Sequence, residues 1–156
     1  MIVVVDTNVW VSAFLNPGGF PARLIEAGKS GRFLIVSSLP LLHELREVLL
    51  RPRLMKIRQT TIEDIDRFMM GVSAVVFLVP VVGDLKLCRD PDDDLILETA
   101  VRGGAEYVIS RDEDVMRDPD LAEKLERYGI QTITVQTFLN LLQSSKGREL
   151  THSNDD

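Results

Sequence analysis

Histidine, cysteine and long apolar runs are all scarce in this chain, and each scarcity closes off a chemistry. The two histidines are His43 and His152. The first falls on a solvated helix face and the second in a polar tail, so a Ser-His-Asp triad has no base to draw on. A lone cysteine, Cys88, cannot build an internal disulfide framework and suits a reducing cytosol. It lacks a visible partner base and is a poor ligand for a hard cation. The uncharged segment Phe68 to Gly83 falls short of the roughly 20 residues that a membrane span needs and is broken by Pro80, so it reads as the end of a buried helix followed by an extended segment. No basic region precedes the short apolar run at the N-terminus, so neither export nor membrane insertion is expected, and the expected location is the cytoplasm. Positive charge is in deficit as well: 18 Lys and Arg stand against 24 Asp and Glu, a net charge of −6. A general electrostatic grip on nucleic acid is therefore excluded, and any such contact must be a local patch.

What the chain has is a soluble composition and a regular alternation of elements. Its 156 residues, 45% of them hydrophobic, suffice for one domain that buries about two thirds of its unfolded surface. Ile2-Val3-Val4-Val5 is an apolar, β-branched run of the kind found inside parallel sheets, covered on both faces. It stops on Asp6-Thr7-Asn8. Phe33 to Val36 and Glu106 to Ser110 repeat the pattern, Val75 to Val82 is a poorer strand interrupted by Pro80, and Ile130 to Val135 reads as an edge strand. Helices are predicted between them: Val9–Leu15, Pro21–Ala27 with Gly28 as its stop, residues 39 to 50, one opened by a Thr60–Glu63 capping box, one after Asp90-Pro91 ended by Gly103-Gly104, one after Asp118-Pro119 and a last from Thr137 to Leu142. The fold class is therefore α/β, a three-layer α/β/α arrangement around a mainly parallel five-stranded sheet. Residues 1–143 form the single domain, and 144–156 read as a polar, disordered tail. No internal repeat or linker is visible.

Acidic residues collect at one edge of that sheet. Asp6 and Asp112 fall just past strand ends, while Glu44 and Asp93 lie in the opening turns of helices that follow extended segments. Strand carboxyl ends and helix amino ends share an edge in parallel sheets, and ligands bind there. Within Asp90 to Asp94 the angle of each residue matters: Asp93 heads the stripe continued by Ile96, Leu97, Ala100 and Val101, whereas Asp92 and Asp94 fall to either side. Each acid also has a plainer reading. Asp6 can cap the next helix, Glu44 can be a surface acid, and the run at 90–94 can simply favour a helix dipole. Taken together, crowded carboxylates call for a cation, and all-oxygen ligation selects Mg²⁺ or Mn²⁺ with phosphodiester cleavage as the natural task. Asp6, Asp93 and Asp112 would hold the metal, and Glu44 would bind a second ion or orient the attacking water. Thr7, Asn8 and Ser110 are short donors for a carboxylate or the scissile phosphate. Arg51, Arg53, Lys56 and Arg58, with no acid among them, are the candidate contacts to a phosphate backbone, although such runs are more often merely solvated.

Four segments carry a resemblance. Val4-Val5-Asp6-Thr7-Asn8-Val9, Leu41-Leu42-His43-Glu44-Leu45, Arg89-Asp90-Pro91-Asp92-Asp93-Asp94 and Ser110-Arg111-Asp112 resemble, in order and spacing, the four acidic motifs of the PIN-domain family. More narrowly they resemble its branch of VapBC-type toxins. The likeness spans residue 2 to about 142. It implies a five-stranded parallel sheet between helices and an Mg²⁺- or Mn²⁺-dependent ribonuclease leaving a 5′-phosphate. Its catalytic acids map onto Asp6, Glu44, Asp93 and Asp112, with Asp90 and Asp114 as extra acids. It further implies an RNA substrate, a homodimer and an antitoxin partner protein. Ser110 stands where the family often has threonine, which keeps the hydroxyl.

Rival readings fit less well. Dehalogenase-like phosphatases want a second acid two residues after the first, where this chain has Asn8, and receiver domains want a lysine at a strand end. A PIN-like module that binds RNA or protein without cutting would lack an acid, and all four are present.

Overall fold

The five strands are β1 (Ile2–Val5), β2 (Leu34–Ser37), β3 (Val76–Leu78), β4 (Tyr107–Ser110) and β5 (Gln131–Thr134). In the computed structural model they pair in parallel throughout, in the order β3-β2-β1-β4-β5. The structure describes residues 1–111 and 119–152, with side chains to residue 145. Around the sheet run α1 (Thr7–Leu15), α2 (Phe20–Lys29), α3 (Leu39–Leu49), α4 (Pro52–Ile57), α5 (Ile62–Val75), α6 (Pro91–Arg102), α7 (Pro119–Arg127) and α8 (Val135–His152). The expected three-layer architecture is the one observed.

The alternation of strand side chains divides the core in two. Val3, Val5, Ile35 and Ile109 face a cluster shared with α1, α2, α3, α5 and α8, where Trp10, Leu24, Leu45, Ile65 and Phe138 are buried. Val4, Val36 and Val108 face the other way, against Ile96, Leu97 and Ala100 of α6 and Leu121 and Leu125 of α7. Strand β1 thus feeds both layers, as its uninterrupted apolar run requires.

Several local expectations are corrected. The capping box that opens α5 uses Thr61 and Asp64 rather than Thr60 and Glu63: the Asp64 amide donates to Thr61 Oγ1 at 3.1 Å, and the Thr61 amide donates back to Asp64 Oδ2 at 3.0 Å. Gly28 does not stop α2, which runs on to Lys29. Its missing Cβ instead admits Ile35, whose Cδ1 lies 2.8 Å from where that atom would be. The turn is made three residues after it by Gly31 at φ +79°, a conformation glycine adopts without strain. Residues 52–57 form the unforeseen short helix α4, with Pro52 in its first turn. The last helix begins at Val135, two residues before the expected Thr137, and runs to His152. Phe138 and Leu142 are buried and anchor its first turns. With nucleation already achieved there, the polar but proline-free residues beyond them propagate it.

Candidate active site

Backbone parity decides where the edge residues point. Asp6 follows Val4 by two positions and keeps an extended conformation (φ −63°, ψ 147°), so its side chain goes to the α6–α7 face of the sheet. The same step leads from Val36 to Ser38 and from Val108 to Ser110. All three polar residues are buried, at 0% exposure for Ser38, 4% for Asp6 and 3% for Ser110. They mark the carboxyl ends of three adjacent strands. Between β1 and β4 the strand order reverses, which opens the crevice where open α/β sheets bind ligands. The Asp6 amide spans that gap by donating to the Ile109 carbonyl at 3.0 Å.

The local reading of Asp6 as a cap can be tested directly. It occupies the N-cap position of α1, yet its side chain makes no capping bond to that helix. Ser38 behaves alike at the start of α3: it makes no cap bond, and its hydroxyl pairs with Thr99 Oγ1 of α6 at 2.9 Å. Both side chains face across the sheet layer instead of down their own helices.

Glu44 is half-buried on α3, while His43 and Glu47 on the same helix are exposed. Thr7 Oγ1 donates to Glu44 Oε2 at 2.9 Å. Because Thr7 directly follows Asp6, this bond draws the α3 carboxylate to the start of α1. Asn8, the next residue, is exposed.

The acidic run at the start of α6 separates into distinct jobs. Asp93 is 3% exposed, in the first turn of a helix that packs over β1 and β2. Asp90 is the helix cap, accepting from the Asp92 amide at 2.9 Å. Asp92 is exposed. Asp94 turns to the preceding loop and accepts from the amides of Leu87 at 2.9 Å and Cys88 at 2.7 Å. Of the extra acids, Asp90 thus has a structural bond, whereas Asp114, like Asp112, lies outside the described residues.

Two further acids hold that loop and were not singled out from sequence. Glu98, 2% exposed, accepts from the amides of Val82 at 2.8 Å and Gly83 at 3.0 Å and from Arg102 Nε at 3.2 Å. Asp120 accepts from the Arg89 amide at 2.9 Å and from Lys124 at 3.1 Å. The Arg89 amide, followed by Lys124, holds its carboxyl below the ordinary range. The spacing of Glu98 four residues before Arg102 was a visible signal of an ion pair, but its burial was not. Cys88, inside the same loop, is pushed up to about 12 by burial and by its bond to Asp94. Its thiol is therefore inert at neutral pH.

The basic run is dispersed. Arg51, Arg53 and Lys56 are exposed around α4. They follow the far end of α3, about 16 Å from its start at the acidic edge. Arg58 caps α1, donating to the Phe14 carbonyl at 2.7 Å and the Leu15 carbonyl at 3.3 Å.

The donor set is all oxygen: two carboxylates more than nine-tenths buried and a third held by a threonine. Ser110 Oγ adds a buried hydroxyl with no hydrogen-bond partner among the described residues. Such a set fits a hard divalent cation. Among the described residues no group of three or more His, Cys, Asp or Glu is gathered closely enough to hold a metal ion. By chain position the remaining acid, Asp112, comes two residues after the end of β4.

A parallel sheet whose central strand ends in a buried carboxylate at the strand-order reversal defines an open α/β protein with a ligand-binding crevice at that edge. The chain belongs to the PIN domain family, whose model matches residues 2–114. An uncharacterized protein of the archaeon Methanocaldococcus jannaschii is 27% identical over 139 residues, which cover 88% of each chain. Among the described residues no helix is long and apolar enough to cross a membrane.

Proposed function

We propose that this chain is an Mg²⁺- or Mn²⁺-dependent endoribonuclease that cuts single-stranded RNA, and that it acts as the toxin of a toxin–antitoxin pair. One observation carries the nuclease reading. Asp6, at the centre of the sheet, and Asp93, at the head of α6, are buried carboxylates at the crevice edge, and Asp6 makes no capping bond to the helix it precedes. Buried carboxylates at the crevice edge of a parallel sheet, in a chain of the PIN domain family, are the groups with which such a site would hold a hard cation.

Asp6, Asp93 and Asp112 are assigned to hold the metal, with Glu44 directed by Thr7. When bound, the cation would polarise the phosphate and lower the pKa of a coordinated water. Glu44 would accept a proton from the attacking water, and Ser110 Oγ would donate to a phosphate oxygen. Asn8, exposed at the first turn of α1, stands where it can meet substrate. The toxin role, an antitoxin partner and a homodimer rest on the family resemblance, as does the cytoplasmic setting.

The test is cleavage of an unstructured RNA with and without Mn²⁺ by the wild-type chain, Asp6→Asn and Asp93→Asn. Each substitution should lower the rate by about a thousandfold, the loss of several kcal/mol of transition-state stabilisation. Mn²⁺ should raise the melting temperature of the wild type alone. Undiminished cutting by both variants would refute the assignment.

A further inference from the structure

A second concave surface lies between α2 and α8, on the sheet face opposite α6 and α7. Its volume is about 410 Å³, within the range of ligand sites. From α2 come Phe20, Arg23 and Ala27, spaced as one helical stripe, and from α8 come Gln136, Leu139, Asn140 and Gln143, spaced as another. Arg32 closes one side, donating to the Leu142 carbonyl at 3.0 Å. The lining therefore contains two guanidinium groups, three primary amides and no acid. In a chain of net charge −6 that selection stands out.

Phe20 adds a second feature. It is 46% exposed, and the Arg23 guanidinium sits 5.1 Å from its ring centroid. An exposed aromatic ring backed by an arginine is a platform on which a base can stack, and stacking tolerates any sequence. Amides at Gln136, Asn140 and Gln143 can both donate to and accept from base edges. The arginines can take phosphate oxygens in bidentate fashion. Each element of a single-stranded nucleotide thus has a matching group.

The groove also begins in the right place. Gln136 is the second residue of α8, which starts where β5 ends, at the carboxyl edge that carries Asp6. Strand β5 is two strands from β1, about 10 Å at the ordinary strand spacing. The Arg51–Arg58 run, by contrast, follows the far end of α3.

The geometry points to the α2–α8 groove as a binding site for a single-stranded polynucleotide segment, held by stacking on Phe20 and by Arg23 and the α8 amides. This deepens the nuclease reading by naming where the strand beyond the cut is gripped, but the binding itself can be read without cleavage.

The experiment is fluorescence anisotropy of the full chain with a labelled twelve-residue oligouridylate in EDTA, so that cutting plays no part, with an oligothymidylate and an RNA duplex as further arms. Arg23→Glu and Phe20→Ala, both at exposed positions, should each weaken oligouridylate binding by about tenfold or more. The salt dependence of Arg23→Glu should be shallower by roughly 0.7 in slope. Arg51→Glu should change little. Matching losses with oligothymidylate would show that the groove reads stacking and phosphate; a loss confined to RNA would add recognition of the 2′-hydroxyl. No oligonucleotide binding by the wild type, equal preference for duplex, or binding that survives Arg23→Glu while Arg51→Glu abolishes it would overturn the inference. Groove binding with no metal-dependent cleavage would leave it standing and sink the nuclease instead.

Discussion

The carboxyl edge of the central strands and the loop of residues 79–90 are both built with acids, and they use them in opposite ways. Along the loop, Asp94, Glu98 and Asp120 each accept backbone amides, so Leu87, Cys88, Val82, Gly83 and Arg89 have their donors satisfied by side chains in the absence of a sheet or helix. Here the carboxylate replaces secondary structure. At the strand ends Asp6 forgoes the capping bond open to it, and Asp93 is buried in the first turn of a helix whose cap is already supplied by Asp90. Residue type therefore says little about the role of an acid; its place in the fold decides it.

The largest effect that could break this contrast is on the edge acids themselves. Asp6→Asn should lower cleavage by about a thousandfold yet unfold, free of metal, at or above the temperature of the wild type, because it removes the cost of burying a carboxylate. A drop of many degrees would mean that Asp6 is structural and the two regions are alike. Next comes Glu98→Ala, which leaves two amides and Arg102 Nε without their acceptor, while Arg102 keeps its bonds to Asp84. A loss of about 3 kcal/mol in denaturant unfolding is expected, with cleavage little changed per folded molecule. Asp94→Asn sharpens the comparison through Cys88. With the negative acceptor gone, the thiol's pKa should fall from about 12 toward its ordinary 9.0, and alkylation at pH 8 should accelerate severalfold. The sign for stability follows, since a raised folded value contributes fully below pH 9 and is lost between there and 12. Wild type should thus lose stability on that limb more than Cys88→Ser does. The smallest effect belongs to a boundary far from both regions: Thr61→Ala should cost about 1 kcal/mol by removing the α5 cap, and Thr60→Ala almost nothing.

Much of this was legible in the chain. The five strands, their order of appearance and the position of Asp6 past the first of them follow from apolar β-branched runs. The inward turn of Asp93 follows from counting angles along α6. What could not be read depends on partners distant in sequence. Thr60 and Thr61 offer equal caps on paper, and the pairing of Thr61 with Asp64 is settled only by where α5 begins. Gly28 looked like a stop because glycine ends helices, whereas its value is the space left for Ile35. Glu98 passed unnoticed in the sequence, because nothing in it shows that loop 79–90 folds over that carboxylate.

One small contact gives the seam between β2 and α6 a direction. Thr99 spends its single hydroxyl hydrogen on the Leu95 carbonyl, 2.7 Å away, so the hydrogen shared with Ser38 must come from Ser38. The two hydroxyls form a one-way relay that ends on the backbone of α6. Losing the receiver would leave Ser38 with a buried donor and nowhere to send it, while losing the sender would leave Thr99's own hydrogen still placed on Leu95. Symmetric in composition, the pair is lopsided in consequence.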